Sequence, residues 1–288
     1  MEIGIVGFGV VGHALSALFG GEGRVRIYDK FLRGYNGAAE REAVNRAEVA
    51  FIAVPTPMAA DGSADVSAVE EVVAWLQASA VCIKSTVPPG TTDALSLKYA
   101  KPLCFSPEYV GETQWHPFKY IENHGFVIIG GPRPHAQHVL RAYQEVLGPK
   151  PRYVLTQAKL GEMAKYMENC FLATKVAFAN QFFDLAAAMQ IDFDELRELW
   201  LLDERVGRSH TVVTAERGFG GRCLPKDLSA LIAAAKRFGG APLLEAVQQF
   251  NETSRMRVAR RPLAETPVQP ILAGSGLDNG REARRAEL

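Results

Sequence analysis

Residues 2–12 read EIGIVGFGVVG, in which a short apolar run meets three glycines in the spacing G-x-G-x-x-G. The run EIGIV predicts a strand, and the apolar residues after the glycines recur with helical spacing. In such a strand–turn–helix the first glycine permits the tight turn, the second lets the backbone approach a pyrophosphate, and the third allows close helix–strand contact. A dinucleotide is therefore the expected ligand. Its expected contacts here are Gly7, Phe8, Gly9, Val10, Val11 and Gly12.

The next apolar run, RVRIYD, predicts a second strand that ends in Asp29. A carboxylate there accepts hydrogen bonds from the adenosine ribose and repels a 2′-phosphate, which favours NAD over NADP. Lys30 and Arg33 weaken that preference because either could pair with a phosphate, and we count Lys30 among the expected cofactor contacts. A glycine turn that binds no nucleotide is the alternative.

Strand-like and helix-like segments alternate over the rest of residues 1–155. The further predicted strands are VAFIAV (49–54), AVCIKST (80–86), PLCFS (102–106) and GFVIIG (125–130), with a helix over 65–77. This alternation predicts an α/β fold with a doubly wound, Rossmann-type parallel sheet.

Residues 156–190 have a different character, with no proline and one early glycine, and they predict a single long helix. Its apolar residues surround much of the circumference, so it needs burial on several sides. We therefore expect a homodimer through 156–190, within an all-helical central or dimerisation domain over 156–261. Residues 262–288 are rich in proline, glycine and charge without periodicity, which predicts a disordered tail.

Composition argues for a small-molecule partner. Thirty-two basic residues balance thirty-two acidic ones, so no overall positive field exists to hold a nucleic acid or an anionic membrane. The amino terminus lacks the order of a signal peptide, and no apolar run approaches the roughly twenty residues of a membrane span. A cytoplasmic location is expected. The four cysteines are widely separated, with no C-x-x-C pair, so neither a metal site nor a disulfide framework is indicated.

Residues 218–227, GFGGRCLPKD, place Cys223 among glycines and beside the basic residues Arg222 and Lys226. Glycines free the backbone to approach a ligand, and positive charge favours the thiolate, which is the setting of a reactive thiol. A thiolate beside a nicotinamide would suit covalent capture of an aldehyde. An inert thiol packed in a core remains the alternative.

With these motifs in order, the chain resembles the UDP-glucose/GDP-mannose dehydrogenase family over residues 1 to about 260. The matching stretches are GFGVVG, AVPTP with DGSADVSAVEEVV (53–73), KSTVPPGTT (84–92), SPEYVGE (106–112), LGEMAKYMENCFLATKVAFANQ (160–181) and GFGGRCLPKD. The resemblance implies oxidation of the C6 hydroxyl of a nucleotide sugar to a carboxylate in two NAD-dependent steps, through a cysteine-bound intermediate.

The resemblance also implies roles for individual residues. Cys223 would be the nucleophile, and Lys165, Asn169 and Asp227 would supply a proton relay and positive charge for the oxyanion. Glu112 would be the general base for thioester hydrolysis, and Thr86 would position the water or a proton. Further cofactor contacts would be Pro55, Thr56, Thr86, Glu108 and Lys226, and the substrate contacts would be Glu108, Lys165, Asn169 and Gly220.

Simpler interpretations remain open for several of these residues. Lys165 and Asn169 lie four positions apart, so they share a helix face that could merely be a solvated stripe. Glu108 and Glu112 could be ordinary loop charges, and Thr56 could cap a strand end. Lys226 could tune the thiol instead of holding the cofactor.

The resemblance also implies a second Rossmann-like domain that grips the nucleotide, and residues 262–288 are too short and polar to replace it. Two hypotheses follow. The chain is a nucleotide-sugar dehydrogenase, with or without a separate chain that supplies the UDP-binding domain, or it is a catalytically silent NAD-binding dimer. Dehydrogenases of similar layout that use a helix lysine without a nucleophilic cysteine would leave GFGGRCLPKD unexplained.

Overall fold

The computed structural model describes residues 1–20, 23–111 and 120–259. The predicted tail 262–288 and the proposed base Glu112 lie outside the described residues. None of the helices within the described ranges combines the length and the apolar character that crossing a bilayer requires.

A seven-stranded sheet forms the first part of the molecule, with strand order β2-β1-β3-β4-β5-β6-β7. Strands β1, β3 and β4 are wholly buried, as expected for parallel strands covered on both faces. The strands are β1 Ile3–Val6, β2 Val25–Tyr28, β3 Val49–Ile52, β4 Ala80–Ile83, β5 Leu103–Phe105, β6 Phe126–Gly130 and β7 Arg152–Thr156. The predicted Rossmann-type sheet is therefore confirmed.

Two features of the sheet differ from the prediction. β5 and β6 are antiparallel neighbours, joined only at the pair Phe105 and Gly130, whereas every other neighbouring pair is parallel. A parallel pair needs a crossover helix, and the described part of this connection holds only a 3₁₀ turn, Ile121–Asn123. β7 is an additional edge strand, and its partial exposure leaves a weaker apolar pattern than in the central strands.

Helices cover both faces of the sheet. They are α1 Val10–Phe19, α2 Ala38–Asn45, α3 Ser67–Trp75, α4 Thr91–Lys98 and α5 Arg133–Leu147. One buried cluster joins Leu15 and Tyr143 to one face of the sheet, and a second joins Val69, Val73 and Leu95 to the other. The strand order reverses at β1, which places helices on both faces, as in a doubly wound sheet.

The second part is helical, as predicted. It consists of α6 Ala158–Ala188, α7 Phe193–Trp200, α8 Leu224–Ala235, a 3₁₀ turn Lys236–Phe238 and α9 Pro242–Ala259. One side of α6 packs on α8 and α9 through Ala173, Leu228 and Val247. The 31-residue α6 also carries large apolar side chains that are 41% to 69% exposed along its other side. These are Leu160, Met163, Met167, Phe171, Phe178, Phe182 and Leu185.

Candidate active site

The glycine loop that follows β1 has the geometry predicted for a dinucleotide turn. Gly7 has a φ of +94°, and a Cβ there would lie 2.6 Å from the carbonyl oxygen of Ala53. A Cβ on Gly12 would lie 2.2 Å from the carbonyl oxygen of Gly7, whereas one on Gly9 would meet nothing within 4 Å. The first and third glycines are therefore required by the fold, and the second leaves open space at the start of α1, which fits an approaching pyrophosphate.

Asp29 lies directly after β2 and ties this strand end to the glycine loop. Its carboxylate accepts hydrogen bonds from the backbone N–H groups of Phe8 (2.8 Å), Phe31 (2.9 Å) and Leu32 (3.1 Å). An ionised carboxylate offers about four acceptor positions, so Asp29 retains capacity for a ribose hydroxyl. The ammonium of Lys30 instead contacts both carboxylate oxygens of Glu71, at 2.9 and 3.0 Å. In this conformation Lys30 is directed towards α3.

The loops that follow β3 and β4 are bonded to each other at the same edge of the sheet. Thr56 donates its hydroxyl hydrogen to the carbonyl oxygen of Thr86 at 2.9 Å, and Ser85 donates to the carbonyl oxygen of Val54 at 2.7 Å. Pro55 lies within this linked pair of loops. Ligands of doubly wound sheets bind outside the carboxyl ends of the strands, so Pro55, Thr56 and Thr86 lie where cofactor contacts are expected.

A buried ion pair joins the ends of β4 and β5. Nζ of Lys84 lies 3.3 Å from Oε2 of Glu108 and donates to the carbonyl oxygen of Pro107 at 2.9 Å. Oε1 of Glu108 accepts from the N–H groups of Tyr109 and Val110, both at 2.7 Å. Glu108 is thus buried and engaged within the protein, so it is not an ordinary loop charge. Lys84 was not among the predicted site residues, although a lysine that directly follows a wholly apolar strand was a usable signal.

Lys84 and Glu108 each stabilise the charged form of the other. Burial by itself lowers the pKa of Lys84, but Glu108 and Tyr143 outweigh it and raise that pKa above its ordinary value. Burial likewise disfavours the ionised form of Glu108, yet Lys84 and the two backbone N–H groups hold its pKa below the usual range. Both groups are therefore charged at neutral pH.

Lys165 and Asn169 are buried on one face of α6, which excludes the alternative of a solvated stripe. Nζ of Lys165 lies 4.4 Å from the ring centroid of Tyr109 and 3.4 Å from Oε2 of Glu168. The ring face of Tyr109 stabilises a cation at that position. Lys165 thus lies beside the loop after β5.

Asn169 reaches α8. Its Nδ2 donates to Oδ2 of Asp227 at 2.5 Å, and Nζ of Lys226 donates to Oδ1 of Asp227 at 2.5 Å. Asp227 is 1% exposed. Its N–H donates to the carbonyl oxygen of Cys223 at 2.9 Å, so the two residues are one helical turn apart. Lys226 is held by Asp227 here, and a cofactor contact from it remains a prediction.

Cys223 differs from the other three cysteines in exposure. It lies exposed at the start of α8, whereas Cys82, Cys104 and Cys170 are buried. Burial raises the pKa of Cys82 well above its ordinary value, and raises the pKa of Cys104 and of Cys170 to about 12. Cys223 is therefore not packed in a core, and its reactivity remains a prediction.

Glu162, which was not predicted, connects the two parts of the site. This fully buried carboxylate on α6 accepts from the N–H of Gly90 (2.5 Å), and from the N–H (2.8 Å) and hydroxyl (2.6 Å) of Thr92. It thereby caps the amino terminus of α4, which has no local side-chain cap. Glu162 precedes Lys165 by one helical turn and Asn169 by two. The segment after β4, which contains Thr86 and leads into α4, is therefore held against the helix that carries Lys165 and Asn169.

Two family models match the chain. Residues 33–146 match the NAD binding domain of the UDP-glucose/GDP-mannose dehydrogenase family, and residues 159–253 match the central domain of that family. Together with the glycine loop and Asp29, the first match identifies NAD as the cofactor.

Individual relatives agree with this assignment. The UDP-glucose 6-dehydrogenase of Pseudomonas aeruginosa is 35% identical over 233 residues, which are 74% of this chain and 50% of that protein. YtcA of Bacillus subtilis, a relative named for the same activity, is 30% identical over 88% of this chain and 68% of its own length. The UDP-glucose dehydrogenase structure from Pyrobaculum islandicum superposes with a TM-score of 0.76 at 27% identity, covering 88% of this chain and 68% of that one.

The chain spans about half the length of the first of these relatives, and its matches to both family domains lie in the expected order. The site residues on α6 and α8 fall within the central-domain match. The chain belongs to the UDP-glucose/GDP-mannose dehydrogenase family.

Proposed function

We propose that the chain is a nucleotide-sugar dehydrogenase that oxidises the C6 alcohol of UDP-glucose, or of a related nucleotide sugar, to the carboxylate. One observation carries this proposal. The exposed thiol of Cys223 heads α8 one turn before buried Asp227, which is bonded to Asn169 on the helix that carries Lys165. Two packed helices thus carry a thiol, a carboxylate, an amide and a cation, which are the groups that the proposed chemistry needs.

In the first step the alcohol loses its hydroxyl proton and a hydride from C6, which gives an aldehyde. NAD, when bound, accepts the hydride in each of the two oxidations. Asp227 takes up the proton through the local relay, and the ammonium of Lys165 with the amide of Asn169 stabilises the oxyanion. The 2.5 Å hydrogen bond from Lys226 to Asp227 orients the carboxylate for proton uptake.

In the second step the thiolate of Cys223 adds to the aldehyde carbon, and the oxygen is protonated to give a thiohemiacetal. Loss of its hydride and its hydroxyl proton leaves a thioester. Water, deprotonated by Glu112 and positioned by Thr86, then displaces the thiolate and gives the carboxylate. Overall, one alcohol, one water and two NAD⁺ yield one carboxylate, two NADH and three protons.

Substrate binding requires contacts beyond those to the reacting carbon. Contacts from Glu108, Lys165, Asn169 and Gly220 would hold the sugar end, and remote contacts to the nucleotide would contribute to turnover as well as affinity. A separate chain with a UDP-binding domain is one proposed source of these remote contacts.

We further propose that the chain forms a homodimer through α6. The exposed apolar row from Leu160 to Leu185 runs along most of a helix about 46 Å long, given a rise of 1.5 Å per residue. A row of that size on the side of α6 opposite its own core suits a second copy of the same helix.

NADH release per sugar tests the function. The dehydrogenase predicts two NADH for each UDP-glucose consumed, and loss of turnover in Cys223→Ser with NAD affinity unchanged. NAD binding without turnover of UDP-glucose, UDP-N-acetylated sugars or GDP-mannose would instead support a catalytically silent NAD-binding dimer.

A further inference from the structure

The glycine-rich loop before Cys223 is held by two asparagine side chains that the proposed chemistry does not use. Oδ1 of Asn251, on α9, accepts from the N–H of Phe219 at 2.7 Å, and its Nδ2 donates to the carbonyl oxygen of Phe219 at 3.0 Å. Oδ1 of Asn180, on α6, accepts from the N–H of Gly218 and from Nε of Arg217, both at 2.9 Å. Two helices thus hold three consecutive loop residues.

Both asparagines are buried and fixed in orientation. Asn180 is fully buried and Asn251 is 7% exposed. Nδ2 of Asn180 donates to the carbonyl oxygen of Val176 at 2.9 Å, which leaves its oxygen for the loop. Asn251 faces one donor and one acceptor of the same residue, so only an amide satisfies both. Unmet hydrogen bonds at such buried positions are costly.

This contact also explains the first glycine of GFGG. Gly218 has a φ of +59°, and a Cβ there would lie 2.2 Å from Oδ1 of Asn251. A Cβ on Gly220 would lie 2.9 Å from the guanidinium of Arg255, which also belongs to α9. The absence of a side chain at these glycines lets α9 approach the loop backbone closely enough to form these hydrogen bonds.

Together with the buried side chain of Phe219, these bonds fix the backbone four residues before the nucleophile. We propose that Asn180 and Asn251 are positioning residues that set the place of the Cys223 thiol. This inference rests on the proposed role of Cys223, because it assigns the asparagines to the geometry of the covalent step. Displacement of a reacting group by about 1 Å can lower a rate about 100-fold, so a loosened loop should lower turnover.

Two nearly isosteric substitutions should differ in how far they loosen the loop. Asn251→Asp keeps the acceptor for the N–H of Phe219 but sets a second oxygen against the carbonyl oxygen of Phe219. Asn180→Asp keeps the acceptor for Gly218 and adds charge beside Arg217, and its second oxygen faces the carbonyl oxygen of Val176 on α6 instead of the loop. Asn251→Asp should therefore loosen the loop more than Asn180→Asp does. Asn45→Asp is the control, since Asn45 accepts from the N–H of Gln77 in the other part of the molecule.

The test measures iodoacetamide labelling of the Cys223 peptide, NAD affinity and NADH production in the full-length variants. Asn251→Asp should change the labelling rate at least about threefold and lower kcat at least about tenfold, with NAD affinity unchanged. Asn45→Asp should match the wild type, and Asn180→Asp should change labelling and kcat less than Asn251→Asp does. Should Asn251→Asp not fold, Asn180→Ala takes its place and should show the same labelling and kcat effects.

Wild-type labelling and kcat in a folded Asn251→Asp would overturn the positioning role, as would a parallel loss of NAD affinity, which marks a general structural defect. Labelling and NAD binding do not require turnover. A wild-type protein inactive on every nucleotide sugar would therefore refute the proposed function, while the labelling comparison would still decide whether the asparagines hold the loop.

Discussion

Nδ2 of Asn169 lies 2.5 Å from Oδ2 of Asp227, across 58 positions of sequence. The bond joins the middle of α6 to the first turn of α8, and that turn begins at Cys223. A buried carboxylate that is bonded to an amide and a lysine is held in one orientation, which suits a proton-transfer group. The bond therefore sets the distance between the thiol-bearing helix and the helix of Lys165.

Thiol labelling should separate Cys223 from the other cysteines. Only the thiolate reacts, and burial disfavours it at Cys82, Cys104 and Cys170. We expect one fast-reacting thiol per native chain, absent in Cys223→Ser, and four after unfolding. Rapid labelling of two or more thiols in the native protein would contradict the structure.

Alanine substitutions at Gly9 and Gly12 in the cofactor loop should differ in their effect on stability. Gly9→Ala meets no protein atom within 4 Å, so it should fold normally but lose NAD affinity about tenfold or more. Gly12→Ala drives a Cβ into the carbonyl oxygen of Gly7 and should lower both stability and NAD affinity. Thermal unfolding and NAD titration check this. Normal NAD binding by Gly9→Ala would place the pyrophosphate elsewhere.

The buried pair at the ends of β4 and β5 should be important for stability. Lys84→Met leaves the Glu108 carboxylate buried without its cation, and such a change typically costs about 3–5 kcal/mol. Lys98→Met, which breaks an exposed pair with Glu70, should change stability little. Urea unfolding measures both. Equal effects of the two substitutions would show that burial of the Lys84 pair has no energetic consequence.

Acid stability should reflect Glu108. Burial opposes its ionisation, but Lys84 and two backbone N–H groups lower its pKa below the ordinary 4.5. A lowered pKa in the folded state contributes stability that is present above 4.5 and is lost as the pH falls through the folded value. Glu108→Gln should remove this part of the acid-dependent loss in a pH series of melting temperatures. An unchanged pH slope would contradict the assigned shift.

Much of the fold could be predicted because its signals are local. The buried central strands appear as apolar runs, the glycine spacing marks the loop before α1, and the lack of proline predicts α6 almost to its ends. The edge strand β7 and the antiparallel β5–β6 pair depend on neighbours rather than on local pattern.

The candidate site was less accessible to sequence reasoning. Motifs indicated Cys223, Lys165, Asn169 and Asp227 as candidates, but not the distant residues that hold the surrounding loops. Glu162 bonds to Gly90 across 72 positions, and Asn251 bonds to Phe219 across 32. No periodicity relates such partners, so these contacts emerge only from tertiary packing.

In the proposed mechanism, Cys223 bonds to the sugar carbon during oxidation. Mass spectrometry of Cys223 peptides tests it directly, after incubation with UDP-glucose and NAD of a Glu112→Gln variant that should hydrolyse the thioester slowly. We expect a sugar-nucleotide adduct on Cys223 that requires NAD. Conversion of the sugar to its acid with no adduct on that peptide, and with undiminished turnover in Cys223→Ser, would contradict it.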